Sequence, residues 1–332
     1  MDFGTEFDKY YKTISIDSDK RTKLLENKGL LRQKIRDDFK ENGRKIPKFH
    51  IQGSMEKNTS TGINPLNGNY DIDDGVYLQN IDSSKSIDEW ESPEKAHKWI
   101  FDAVEGHTKS TEDLSKCVRV NYANNEKHVD LPIYVQKDDD YYLAIKGKGW
   151  KKNNPKDIAE WFNDRNTVLG ENFRKGSRLL KAWKDKRESE NTALKLFGGF
   201  QLSILVSNHF PYFTDNTEDF FFKLVQNINQ NLWQYPPLRN PKNYSQDTLE
   251  YYTQSRIDTF KSEFGTLYSK VKEAYEETDC QKKYEKWKKV FGDRFPKPTD
   301  SESENKTKAL GLGAPLIIKG DANIKNTSGR MA

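Results

Sequence analysis

An amphipathic repeat near the N-terminus is the first regular pattern along the chain. Its apolar positions recur at spacings that keep them near one face of a helix: Leu24, Leu31, Ile35 and Phe39. Gly43 follows as a stop signal. The pattern predicts a helix that braces the rest of the fold.

From residue 49 to residue 78 the pattern changes to short apolar pieces separated by Gly, Asn, Ser and Thr, which predicts strands joined by loops. Two further strands are predicted at 117–122 and 128–135. The turn-like run 123–127 connects them, so we expect a hairpin.

After Trp150 the pattern becomes helical, with Pro-containing links such as Tyr235-Pro236-Pro237. The predicted helices span residues 155–165, 172–188, 192–208, 217–231, 245–276 and 280–291. Residues 296–308 are rich in Pro, Ser, Thr and charge, which is typical of a linker.

A chain of 332 residues is long for one compact domain, so two lobes are expected. The patterns together predict an α+β fold in four parts. These are a brace-helix region at 1–45, a core of strands and helices at 46–165, a helical lobe at 166–295, and a linker and tail at 296–332.

Composition narrows the class of protein. Charged residues make up 32% of the chain while the net charge is only +4, so the charges largely offset one another, unlike those of a nucleic-acid coat protein. Cys117 and Cys280 are too few for a disulfide framework, which fits a reducing compartment. No long apolar run resembles a membrane span or a signal peptide. We therefore expect a cytoplasmic protein without a membrane partner.

Three acidic side chains carry the candidate chemistry. Asp71 and Asp73 are two apart in a predicted strand, so both project from one face. Asp130 projects from the polar face of the predicted strand 128–135. A site for two Mg²⁺ ions needs carboxylates from several directions, so the three predict a metal site. The alternative for Asp71 and Asp73 is that they are solvated residues in a turn. Asp74 lies off their face, so we predict a capping or turn role for it.

A calcium-binding loop is a rival interpretation of this acidic run. Such a loop needs a glycine at its sixth position and a glutamate at its twelfth. Counted from Asp71, those positions hold Val76 and Asp82, so the interpretation is rejected.

Upstream of the acidic run lies Gln52-Gly53-Ser54, entered from an apolar piece. A Gly-Ser turn lets backbone amides and a hydroxyl approach a phosphate closely. The order of a Gly-Ser turn, an Asp-x-Asp pair and a third aspartate on a later strand is far more specific than any one of these features.

With the motifs at 52–54, 71–78, 129–134 and 178–183, the sequence resembles the nucleotidyltransferase superfamily of DNA polymerase beta type. Within it, the chain resembles the bacterial cyclic-oligonucleotide synthases of the cGAS/DncV-like group, called CD-NTases. The resemblance implies a bilobed polymerase-beta-like core with a mixed sheet, followed by a helical lobe like that of oligoadenylate synthetase. It also implies an enzyme that joins nucleoside triphosphates, ATP among them, into a cyclic di- or trinucleotide and releases pyrophosphate.

The same resemblance implies residue roles. The three aspartates would hold two Mg²⁺ ions, with Mn²⁺ as an alternative. Gly53 and Ser54 would contact the terminal phosphates of the donor, assisted by Gln52. Lys181 would reach triphosphate oxygens, a solvated helix lysine being the alternative. Arg119 resembles a family arginine that contacts the donor phosphate or base, with a surface salt bridge as the alternative.

Phe200 follows Gly199 where relatives often have a Ser-Tyr pair. The ring would stack on a base, with core packing as the alternative, and the missing hydroxyl puts the phosphate contact in question.

The resemblance extends to partners. In that family the product switches on a separate effector in anti-phage systems of the CBASS type. In some relatives a ubiquitin-transfer-like partner joins the C-terminus, here residues 326–332, to targets. No cysteine–histidine zinc insertion is present, so no double-stranded DNA activator is expected. The alternatives are a nucleotidyltransferase that modifies an antibiotic or an RNA end, and a catalytically silent module that binds nucleotides or RNA.

Overall fold

A computed structural model describes residues 2–61, 70–122 and 127–298. The first part of the chain forms α1 Gly4–Thr13, α2 Ser18–Glu41, β1 Lys48–Gln52, α3 Gly53–Glu56, β2 Tyr70–Leu78, α4 Pro93–Val104, β3 Ser110–Asp113, β4 Val118–Tyr122, β5 Lys127–Leu131, β6 Ile133–Lys137, β7 Asp140–Ile145 and β8 Gly149–Lys152. The second part forms α5 Pro155–Leu169, α6 Glu171–Glu190, α7 Gly199–Asn208, α8 Thr217–Asn231, β9 Arg239–Asn240, β10 Asn243–Asp247, α9 Gln254–Glu276 and α10 Cys280–Phe291. The predicted α+β class is confirmed.

A mixed sheet occupies the first part, with the strand order β3-β4-β5-β2-β6-β7-β8 and β1 paired to β2. β4 and β5 are antiparallel, which confirms the predicted hairpin; residues 123–126 of its turn lie outside the described residues. β5 and β6 both run parallel to β2 in one register, with Asp73 opposite Asp130 and Val76 opposite Ile133. The predicted strand 128–135 is therefore nearly continuous. It is interrupted at Pro132, which has no amide hydrogen to donate.

Side chains alternate across β2, so its two faces differ. One face packs under α2 and α4 in a core that contains every apolar position of the predicted brace helix. α2 begins after Asp17, whose side chain accepts a hydrogen bond from the Lys20 amide at 2.8 Å, and it ends just before Gly43, where φ is +64°. The brace-helix prediction is confirmed.

The helices from α5 onward share a second core, which α1 joins although no pattern predicted it. Phe3, Phe7 and Tyr10 of the N-terminal segment are fully buried there, and Phe7 lies edge-on to Trp287 with ring centroids 4.8 Å apart. The N-terminal segment thus contributes α2 to the sheet core and α1 to the helical core. The domain boundaries at 45, 165 and 295 stay a prediction.

Two helix predictions were too long at their N-terminal ends. Residues 192–198 are not helical, and α7 begins only after Gly198, whose backbone is extended. Residues 245–253 are not helical either: β10 pairs with β9, and α9 begins where the Thr253 side chain accepts a hydrogen bond from the Arg256 amide. In both places capping and turn residues outweighed the apolar repeat.

The capping or turn role predicted for Asp74 is wrong, because Asp74 lies inside strand β2. Asp74 lies off the face of Asp71 and Asp73, as predicted, but it is fully buried toward α2. The Arg32 guanidinium donates to both of its oxygens, at 2.7 Å and 2.5 Å. A buried carboxylate needs such a partner.

None of the helices in the described part of the chain is long and apolar enough to cross a membrane. The tail segment 326–332, and all of the linker after residue 298, lie outside the described residues.

Candidate active site

The predicted acidic side chains meet on the open face of the sheet, opposite the α2 core. β2 places Asp71 and Asp73 on this face, and β5 places His128 and Asp130 beside them. The pairing sets Asp73 directly opposite Asp130, and Asp71 opposite His128. Carboxylates that are distant in sequence are therefore brought together, as predicted.

The electrostatics of the site reflect how close these carboxylates lie to one another. The pKa of Asp73 is raised from 3.8 to about 7, chiefly by burial and then by the negative charges of Asp71 and Asp130. Lys57 and Lys181 act in the opposite direction without cancelling this rise. A divalent cation would relieve the repulsion, so these side chains suit a cation-binding role.

Asp71 and Asp73 are well placed to bind a metal ion, whereas Asp130 is already paired with Arg119. Asp71 and Asp73 offer hard carboxylate oxygens to one cavity, which is the donor chemistry Mg²⁺ prefers. Both oxygens of Asp130 accept hydrogen bonds from Arg119, at 2.7 Å and 2.8 Å. Across 2–61, 70–122 and 127–298, no three His, Cys, Asp or Glu side chains form a ready metal cluster. Asp130 would join a metal site only by releasing part of its Arg119 contact.

The Gly-Ser turn lies against Asp73. Gly53 has φ +68°, and a Cβ at this position would overlap the Asp73 carboxylate oxygen Oδ2. Only glycine combines this backbone conformation with this close approach. The Ser54 hydroxyl lies 2.9 Å from the Ser60 hydroxyl and lines the same cavity as Asp73.

Gln52 precedes the Gly53-Ser54 turn and is fixed by two tyrosines of the sheet. Its side-chain amide donates to the Tyr77 hydroxyl at 2.7 Å, and its amide oxygen accepts from the Tyr134 hydroxyl at 3.2 Å. The two tyrosine rings stack with centroids 5.1 Å apart. Gln52 therefore helps to position the turn, while its predicted contact with a nucleotide stays a prediction.

Two adjoining cavities open at the site. The first, of about 460 Å³, is lined by Ser54, Lys57, Thr59, Thr61, Asp71, Asp73, His128, Lys181, Asp185, Gly199, Phe200 and Ser203. The second, of about 350 Å³, is lined by Gln52, Gly53, Lys57, Asp73, Lys116, Cys117, Asp130, Pro132, Tyr134, Leu143, Asn153, Pro155, Ile158 and Phe200. Of the residues predicted to form the site, Arg119 alone lines neither of these two cavities.

One face of α6 holds the segment that follows the Gly-Ser turn. The Arg178 guanidinium donates to the Asn58 carbonyl, and the Lys181 ammonium donates to the Thr59 carbonyl at 2.9 Å. One turn further on, Asp185 accepts a hydrogen bond from the Thr61 hydroxyl at 2.9 Å. The helical lobe therefore positions the turn, and Lys181 reaches the cavity while bound to a backbone carbonyl.

The position of Phe200 is compatible with both predicted roles, core packing and stacking on a base. Its ring lies edge-on to Trp161, with centroids 6.0 Å apart, and it packs against the helical core. It also lines both cavities, so part of the ring faces the space a substrate would occupy.

Sequence reasoning missed three titratable residues of the first cavity, His128, Lys57 and Asp185, as well as the hydroxyl residues Thr59, Thr61 and Ser203. His128 could have been found, because strand alternation puts it on the face of Asp130. Lys57 and Asp185 carried no signal, since their places depend on a loop and a helix that are far apart in sequence.

The fold is similar to that of a bacterial dinucleotide cyclase. The structure of the Vibrio cholerae di-nucleotide cyclase DncV in complex with GTP matches with a TM-score of 0.73 at 17% identity, covering 90% of this chain and 98% of that one. The V. cholerae cyclase with a linear intermediate, 5′-pppA(3′,5′)pG, matches with a TM-score of 0.71 at 15% identity, covering 87% and 96%.

Sequence comparison agrees with the fold. Residues 47–134 match the family described as the nucleotidyltransferase domain of cyclic GMP-AMP synthase DncV-like proteins. A cyclic AMP-AMP-AMP synthase of Acinetobacter sp. is 28% identical over 189 residues, 54% of each chain. A cyclic GMP-AMP synthase of Escherichia albertii is 26% identical over 253 residues, 73% of this chain and 54% of that one. The chain thus spans about half the length of these curated relatives.

The mixed sheet and the helical lobe together resemble the fold of the V. cholerae cyclase. The chain is similar to the bacterial CD-NTases, and its residues 47–134 match a DncV-like nucleotidyltransferase domain.

Proposed function

We propose that this protein is a cyclic-oligonucleotide synthase, which joins nucleoside triphosphates into a cyclic di- or trinucleotide and releases pyrophosphate at each step. The observation that carries the proposal is the meeting of Asp71, Asp73 and Asp130 beside the Gly53-Ser54 turn, at two adjoining cavities of which each is large enough for a nucleotide. The names of the relatives, synthases of cyclic AMP-AMP-AMP and cyclic GMP-AMP, support the same class of product.

In this proposal the aspartates would hold two divalent cations, Mg²⁺ or Mn²⁺. When bound, these ions would neutralise the triphosphate and lower the pKa of the attacking ribose hydroxyl. The hydroxyl oxygen forms a bond to the α-phosphorus, the bond to pyrophosphate breaks, and the hydroxyl proton passes to solvent. A linear product then reorients in the same site, and its own terminal hydroxyl closes the ring.

The other side chains bind and orient the nucleotides. Ser54 and the Gly53 amide donate hydrogen bonds to donor phosphates, and the Phe200 ring packs against a base. Lys181 and Arg119 contact phosphate or base when they exchange their present partners, the Thr59 carbonyl and Asp130.

We further propose that the product is a second messenger for anti-phage signalling of the CBASS type. It would act in the cytoplasm on a separate effector protein. Conjugation of the C-terminus by a ubiquitin-transfer-like partner is part of the same proposal, on segment 326–332.

Incubation with the four ribonucleoside triphosphates and Mg²⁺, followed by phosphatase and mass spectrometry, tests the proposal. A phosphatase-resistant oligonucleotide is expected. Because metal stabilisation contributes several kcal/mol, replacing Asp71 and Asp73 with asparagine should reduce turnover about a thousandfold with the fold retained. The exposed Asp139→Asn variant is the matched control and should retain full activity.

Two results would overturn the proposal. Consumption of a nucleotide only after an antibiotic or an RNA end is added would indicate a different transferase. Tight binding of nucleotides without turnover would indicate a silent binding module.

A further inference from the structure

Lys57 lies where the two cavities of the site meet. It follows the short helix α3 directly and lines both cavities, a property it shares with Asp73 and Phe200. A nucleotide that spans the two cavities must pass this side chain.

Three other cations near the Gly-Ser turn already have partners, while Lys116 of the second cavity is an exposed side chain. Lys181 donates to the Thr59 carbonyl, Arg119 is paired with Asp130, and Arg178 donates to the Asn58 carbonyl. Among the residues that the structure describes, none forms a hydrogen bond or an ion pair with the Lys57 ammonium. A half-buried ammonium without a partner is unfavourable, because burial removes water that is not replaced.

The surroundings of Lys57 match the charges of a nucleotide tail. The Asp73 carboxylate is suited to binding a metal cation. The Lys57 ammonium can bind a phosphate oxygen directly. Mg²⁺ characteristically binds through carboxylates together with substrate phosphates, and a lysine beside such a site binds phosphate as a point charge. The two groups would therefore hold different oxygens of one polyphosphate.

We propose that Lys57 binds the triphosphate of a nucleotide lying across the boundary of the two cavities, an inference that rests on the proposed function. Lys181 must first give up the Thr59 carbonyl to reach a phosphate, whereas Lys57 can contact the phosphates without exchanging a partner.

Binding of non-hydrolysable ATP and GTP analogues, measured by isothermal titration calorimetry, tests this assignment. Lys57→Met should weaken triphosphate binding about tenfold to a hundredfold, as expected for loss of a charge-assisted hydrogen bond. Binding of the corresponding monophosphates should change less than threefold. Lys57→Arg should restore most of the affinity, and Lys23→Met, an exposed lysine of α2, should have no effect.

The outcomes separate this inference from the function on which it rests. If the wild-type protein binds triphosphate and Lys57→Met binds it equally well, the Lys57 assignment is wrong but the proposed function is unaffected. Equal losses for monophosphate and triphosphate would indicate a structural role and also overturn it. If the wild-type protein neither binds nor consumes a triphosphate, both the assignment and the proposed function fall.

Discussion

Asp73 and Asp74 are adjacent in β2, yet they occupy opposite environments. Asp74 is fully buried toward α2, where Arg32 donates to both of its oxygens. Asp73 faces the cavities, where burial and then the neighbouring carboxylates raise its pKa to about 7. Asp74 therefore has the cationic partner that a buried, stabilising carboxylate requires, whereas Asp73 is held close to other negative charges. Such an arrangement is typical of a functional site.

Removing the Asp74 carboxylate should have the largest effect on stability. Asp74→Ala leaves Arg32 without its partner at the interface of α2 and the sheet, which should lower the free energy of unfolding by about 3 kcal/mol. Urea denaturation followed by circular dichroism measures the loss. Asp73→Ala should not destabilise the protein in the same assay. Equal losses for the two variants would remove the distinction between the neighbours.

Disturbing the contact between Gly53 and Asp73 should affect activity more than stability. Gly53→Ala places a methyl group where Asp73 Oδ2 lies and strains a backbone at φ +68°. A displacement of about 1 Å in a reacting geometry can cost about a hundredfold in rate, so product formation should fall by about that factor.

Gly29→Ala is the matched control for this variant. Gly29 lies within α2, and alanine is the better helix former. Apart from the neighbouring backbone of the helix, no described group lies within 4 Å of the position that an alanine methyl would take. Its activity should be unchanged. Equal activity of both glycine variants would show that the turn does not position Asp73.

The pH dependence of stability should show the smallest effect. In the metal-free protein the folded pKa of Asp73, about 7, lies above its ordinary value of 3.8. The folded state therefore binds the proton more tightly, and this stabilisation, complete below about pH 4, is lost as pH rises through 7. Asp73→Asn does not titrate, so relative to wild type it should gain about 1 kcal/mol or more between pH 5 and pH 8 in the presence of EDTA. A constant difference between the two proteins across this range would contradict the raised pKa.

Much of the site could be predicted because its signals are local. Alternation along β2 and β5 placed Asp71, Asp73 and Asp130 on polar faces, and the Gly53-Ser54 turn followed from residue type. Helix starts were less predictable. Apolar repeats suggested helix at 192–198 and 245–253, but α7 begins only after Gly198 and α9 only after the Thr253 cap. α1 escaped prediction because its buried face is completed only by distant helices.

Asp74 shows the limit of such reasoning most clearly. Its position off the face of Asp73 follows from alternation, but its partner is Arg32, forty-two residues earlier in the chain. Lys57 and Asp185 belong to the site for a similar reason, since a loop after α3 meets α6 there.

The sequence by itself determined which side chains share a face, because alternation along a strand is a property of the local backbone. It also determined that the backbone at position 53 can adopt a positive φ, because glycine is the residue that this conformation favours. Only the tertiary structure decided that β5 lies parallel to β2 with Asp130 opposite Asp73, and that Arg119 rather than solvent meets Asp130. Strand register and helix placement depend on packing across the whole chain, which no local pattern contains.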